Sequence, residues 1–128
     1  MTKASIFEVM TSGFAERSAD DIADHCEVPI MFVGDAQTEY ATTRTSLVNY
    51  LERTLVALKD ENIHDLKFTC QHTSSVGEAL SMCRVRVDRT LGNGSACDPV
   101  TETWIIRHTV AGDRLAGVIG LRLMDPGP

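Results

Sequence analysis

The chain has 128 residues, 43% hydrophobic and 23% charged, which suits one hydrophobic core and excludes a disordered or collagen-like polymer. Eighteen acidic against twelve basic residues give a formal charge of -6, which repels phosphate backbones and anionic surfaces, so neither nucleic acid nor membrane is an expected partner. No apolar run approaches the roughly 20 residues that span a bilayer, and Glu8 comes too early for a signal-peptide core, so a cytoplasmic location is expected.

Ile6, Val9, Met10, Gly13 and Phe14 recur at helical spacing with Glu8, Glu16 and Arg17 between them, which predicts a first amphipathic helix over 5–16. Ser18 before Ala19-Asp20-Asp21 places a cap and acids at the start of a short second helix ending at His25 or Cys26. Ile30-Met31-Phe32-Val33, bounded by Pro29 and by Gly34-Asp35, reads as a short buried strand, with Thr38 to Thr42 as its hairpin partner. Thr43 or Thr45 caps a third helix carrying Leu47, Tyr50, Leu51, Thr54, Leu55 and Leu58 on one face.

After Asn62 the period changes to two. His64, Leu66, Phe68, Cys70 and His72 alternate with Asp65, Lys67, Thr69 and Gln71, which predicts a long half-buried strand with His72 on its apolar face. Ala79 to Leu91 repeats the alternation, with Ser81, Cys83, Val85 and Val87 inside and Met82, Arg84, Arg86 and Asp88 outside; Gly92-Asn93-Gly94 then provides a turn. Val100–Val110 and Leu115–Leu123 complete an antiparallel meander, separated by Ala111-Gly112-Asp113. Helices on one side of an antiparallel sheet define an α+β architecture, with residues 1–125 forming a single domain and 126–128 a disordered tail. Cys26, Cys70 and Cys83 sit in apolar surroundings as reduced, buried thiols, Cys97 lies in a loop, and their spacing builds no zinc knot.

Ala19-Asp20-Asp21-Ile22-Ala23 before Val28–Val33, the helix opening at Thr43-Arg44-Thr45-Ser46-Leu47, and Glu102-Thr103-Trp104-Ile105-Ile106-Arg107-His108 together carry a resemblance. In element order and hydrophobic placement the chain resembles the nuclear-transport-factor-2-like superfamily, the cone fold of ketosteroid isomerases, SnoaL-like polyketide cyclases, scytalone dehydratase and many bacterial proteins. The resemblance implies a strongly bent antiparallel sheet, three N-terminal helices packed on its concave face, a pocket inside the cone, and a homodimer through the outer sheet face. Arg84 and Arg86 are the candidate interface residues.

Steroid isomerases of this superfamily use an aspartate base with a tyrosine and a protonated aspartate. That machinery does not carry over: the base position falls on Ile30 or Gly34, Asp35 is one residue off in a turn, and the protonated acid falls near Trp104, a donor only. Dehydratases and cyclases of the superfamily rely on histidine, which makes His72 the weak catalytic candidate, with Tyr50 or Trp104 as donor; His108 shares a face with Trp104 and Ile106 near the sheet end. No Gly-rich phosphate loop, Gly-x-Ser-x-Gly elbow or His-Glu-x-x-His is present, so no cofactor or metal is expected. The leading expectation is a small, mostly apolar ligand held by Phe32, Tyr50, Phe68, Cys70, His72, Val85, Val87, Trp104 and Ile106. The alternatives are an enzyme working through a pocket histidine and a dimeric scaffold without ligand.

Overall fold

A computed structural model describes residues 5–120. Helix α1 spans Ile6–Ala15, where the Ser5 hydroxyl accepts from the Glu8 N–H and Ile6, Met10, Gly13 and Phe14 form the buried stripe. Helix α2, Ala19–Ala23, is capped in the same way by Ser18. The two helices approach so closely at Gly13 that a Cβ there would lie 2.8 Å from Ile22 Cγ1, so any larger residue would push them apart. Helix α3, Arg44–Asp60, begins with a reciprocal pair of hydrogen bonds between Thr43 and Ser46, which selects Thr43 over Thr45 as the cap. Arg44 then reaches Asp24 at 2.8 Å and Asp20 at 3.4 Å, tying α3 to α2.

The strands are β1 Cys26–Val33, β2 Thr38–Ala41, β3 Ile63–Ser75, β4 Leu80–Leu91, β5 Val100–Thr109 and β6 Gly112–Ile119. They form one six-stranded sheet in the order β2-β1-β6-β5-β4-β3. The meander β3–β6 is antiparallel as its alternation predicts, but β1 joins β6 in parallel, so the sheet is mixed. Strand β1 also starts four residues before Ile30. Its pairing with β6 skips from Cys26 to Met31, and Pro29, which has no N–H for a ladder, falls in the skipped stretch. The C-terminal end expected for the last strand, 121–123, and the 126–128 tail lie outside the described residues.

The concave face is filled. Trp104 is fully buried, with Phe7 of α1 stacked on it at 5.6 Å and Phe68 tilted against it at 5.0 Å. Phe14 meets Phe68 at 5.4 Å, and Phe32 stacks on Tyr50 at 4.4 Å. Val85, Val87 and Ile106 complete this body beneath α1 and α3. One carboxyl lies within it: Glu102 is 1% exposed, and its Oε1 accepts from Trp104 Nε1 at 3.0 Å. A buried indole N–H stripped of its acceptor costs about 1–3 kcal/mol. Glu102→Ala should therefore lower stability by about that amount in urea unfolding, while Glu102→Gln, which keeps a carbonyl acceptor, should lose less. Equal losses in the two variants would show that the hydrogen bond is not what matters there.

Candidate functional site

Three polar side chains, Ser81, His108 and Asp113, gather at one end of the concave face, where β4 begins, β5 ends and β6 begins. Along β5 the even-numbered residues Glu102, Trp104, Ile106 and His108 face inward. The β5–β6 ladder continues to its tip, pairing His108 with Asp113 and Thr109 with Gly112. Gly112 holds φ 127°, a conformation open to glycine and strained for other residues, and Thr109 Oγ1 donates to the Gly112 carbonyl at 2.6 Å. On the other side, Ser81 of β4 pairs with Ile106, one inward step from His108, and the His108 N–H donates to the Ala79 carbonyl at 2.8 Å.

These registers bring three side chains into a line. His108 Nδ1 lies 2.7 Å from Asp113 Oδ1, and His108 Nε2 lies 2.7 Å from Ser81 Oγ. A carboxylate accepts only, so Nδ1 carries the proton; in the neutral ring Nε2 then accepts from the Ser81 hydroxyl. The order carboxylate, imidazole, hydroxyl leaves Nε2, beside the buried Ser81, as the ring's basic nitrogen, with a carboxylate placed to steady the imidazolium it becomes. His108 and Asp113 are about half exposed, whereas Ser81 is buried. Against this end lies a cleft of about 370 Å³ walled by Ile6 and Val9 of α1, His25, and Ala111 to Asp113. A second cleft of about 310 Å³ runs between α1 and α2, shares Val9 and His25 with the first, and is rimmed by Glu8, Glu16, Asp21 and Asp24.

His72 is not in this cluster. It is exposed, opposite Arg84 on the convex face, with its Nε2 3.2 Å from Ser74 Oγ. The cause is a register shift between Cys70 and His72: Cys70 still faces inward opposite Val85, Gln71 is the extra residue, and Thr73 takes the next inward place opposite Cys83. The expectation that His72 points into the cone is therefore corrected. Cys70 is only half buried, and Cys97 is partly covered. Phe32, Tyr50, Phe68, Val85, Val87, Trp104 and Ile106 are all buried and packed against one another and the helices. Arg86 pairs with Asp88 at 3.0 Å on its own strand, and Arg84 is exposed on the same face.

Sequence reasoning missed Asp113 and Glu102. Extending the β5 alternation two residues back from Trp104 places Glu102 inside, a signal that was available. Asp113 follows Gly112 in what reads as a turn, and only the tight hairpin turns it into a strand residue opposite His108. Among the described residues no three or more His, Cys, Asp or Glu side chains gather as a metal site, and no helix is long and apolar enough to cross a membrane.

Comparison with known proteins places the chain. Residues 4–121 match the family model described as NTF2-like protein (DUF6841), and the chain belongs to that family. No curated protein matches it. Among solved structures it is similar to one from Thiobacillus denitrificans described as a calcium/calmodulin-dependent protein kinase type II association domain, with TM-score 0.71, 14% identity, and 91% and 93% of the two chains covered. It is also similar to an NTF-2-like protein of unknown function from Shewanella oneidensis (TM-score 0.63, 12% identity, 89% and 91% covered). A ketosteroid isomerase-like protein from Erwinia carotovora atroseptica gives TM-score 0.60 at 12% identity, with 89% and 88% covered. At such identities the likeness establishes the shared α+β cone fold and nothing of the chemistry.

The geometry of the cluster makes a spectroscopic prediction. Nitrogen-15 NMR at a pH where His108 is neutral should show its proton on Nδ1, and Asp113→Asn should weaken that preference. A neutral His108 protonated on Nε2 in the wild-type protein would contradict the assignment.

Proposed function

We propose that this protein binds a small, mostly apolar molecule at the α1 end of the cone and removes a proton from it with His108. The observation that carries this reading is the chain Ser81–His108–Asp113, whose last member also walls the adjoining cleft. A volume of a few hundred Å³ suits a small metabolite, and Ile6 and Val9 supply apolar wall. Trp104, Phe68, Phe32, Tyr50, Val85, Val87 and Ile106 act as the rigid backing that fixes β5, with Ile106 nearest the reacting end, opposite Ser81 in the ladder. In the reaction Asp113 accepts from Nδ1–H, Nε2 takes the substrate proton as the Ser81 hydroxyl turns aside, and the resulting imidazolium returns the proton at a new position. Isomerisation, cyclisation and dehydration of carbonyl compounds share this first step. A positioned base contributes about 10²–10⁴-fold. The reading places the protein in the cytoplasm, a reducing compartment that its four free cysteines suit.

Proton NMR in D2O with a panel of small cyclic ketones and enones tests this. The wild-type protein should speed hydrogen–deuterium exchange beside the carbonyl, and His108→Ala should lose about 10²–10⁴-fold of that effect. A panel in which nothing exchanges, or undiminished exchange with His108→Ala, would overturn the reading.

A second observation favours a homodimer through the convex face. The registers align Tyr40, Met31, Gly117, Ile105 and Met82 in one row across five strands, and Tyr40, Met31 and Met82 are 55%, 46% and 37% exposed. Arg84 and Arg86 flank this row and would meet acids such as Asp88 of a second copy. Sedimentation should report a dimer, converted to a monomer of unchanged circular dichroism by Met31→Glu with Met82→Glu. A monomeric wild-type protein at about 100 μM, weaker than a specific interface of standard size sustains, would contradict it.

A further inference from the structure

We infer that Cys70 and Cys83 form an oxidant-reactive dithiol site, which takes a hydroperoxide and closes a disulfide between β3 and β4. The pair is a product of the bulge at Gln71. In a regular strand, residues three apart face opposite sides, yet here Cys70 and Thr73 both stand opposite inward residues of β4, Val85 and Cys83, with Thr73 itself exposed at the rim. The Thr73 hydroxyl consequently lies 3.1 Å from Cys70 Sγ and 3.7 Å from Cys83 Sγ, holding both sulfurs around one oxygen. The Cys83 thiol is raised by burial first and, among lesser causes, by the neighbouring Cys70 thiol. In the ladder Cys70 faces Val85, two residues along the same face of β4 from Cys83, so the cysteines are diagonal neighbours.

The two thiols differ as an attacking and a resolving group must. Cys70 is partly exposed and open to a small peroxide, while Cys83 is 4% exposed and its thiol is held up by burial, so it keeps its proton until a partner sulfur arrives. Cys26 marks the contrast in burial, which pushes its thiol up to about 12; its Sγ–H donates to the Ile22 carbonyl at 3.4 Å, a closer contact than that of Cys70 Sγ with the His72 carbonyl at 3.7 Å. In the first step the Cys70 thiolate attacks a peroxide oxygen; the S–O bond forms, the O–O bond breaks, and the alkoxide or hydroxide leaves and takes up a proton. Cys83 then attacks the Cys70 sulfenic sulfur, the S–S bond forms, and the hydroxyl leaves as water with the proton of Cys83. Two thiols and one hydroperoxide give a disulfide, an alcohol or water, and a further water. A cellular dithiol reverses the change. The bond lies opposite Trp104 in the ladder and two residues from Ser81, so it braces the strand that carries the proposed relay.

The full chain is treated with one equivalent of hydrogen peroxide, the remaining thiols are alkylated, and the peptides are mapped by mass spectrometry. The expected result is a Cys70–Cys83 cross-link with Cys26 and Cys97 still alkylated. In Cys83→Ser, Cys70 should be trapped as a sulfenic acid that dimedone labels; in Cys70→Ser, Cys83 should remain an unmodified thiol. An alkylatable Cys70 after treatment, a disulfide joining any other pair, or oxidation of Cys83 in Cys70→Ser would overturn the inference. These readouts are independent of proton transfer at His108.

Discussion

The structure turns on the enclosure of one side chain. Trp104 projects from β5 into the hollow of the cone, where Phe7 and Phe68 cover its ring and Glu102 accepts its N–H. A large aromatic surface leaves water in one step, and the indole's polar edge is still satisfied. Because Phe7 belongs to α1, the same contact docks the helix on the sheet. Truncating such a ring leaves a cavity and costs about 3–5 kcal/mol, a large part of the stability of a domain this size.

With the middle of the cone filled, the room for chemistry moves to its end. There the alternation that buries Trp104 and Ile106 delivers His108 two residues further on, where the sheet meets solvent and the hairpin supplies Asp113. Rigid apolar packing behind and a short hydrogen-bonded chain in front is the arrangement a positioned base requires, because each donor is held by a strand rather than by a loop. The acidic cleft between α1 and α2 shares His25 and Val9 with this end but contributes no member to the chain.

Much of the architecture is legible in residue spacing. The helical stripe from Leu47 to Leu58 and the alternation of Val85 and Val87 with Arg84 and Arg86 are direct readings of periods 3.6 and 2. What escaped involves pairing between distant segments. Nothing local shows that β1 lies parallel to β6, since Cys26 to Val33 reads the same beside either neighbour. The bulge in β3 is likewise silent: Gln71-His72-Thr73-Ser74-Ser75 contains no apolar residue to mark a face, so one inserted residue moves His72 outward and Thr73 inward without disturbing the pattern. Asp113 was hidden for a related reason, because Ala111-Gly112-Asp113 has turn composition and its register with His108 is set by hairpin length.

The central claim is that the cone is solid around Trp104 and that any ligand lies at its end. Trp104 is the protein's one tryptophan, so acrylamide quenching of its fluorescence reads that claim directly. Blue-shifted emission, quenched far more slowly than that of free tryptophan and recovering full sensitivity in urea, is the result the structure predicts. Emission quenched as readily in the folded protein as in the unfolded chain would mean a wet, open interior and would contradict it.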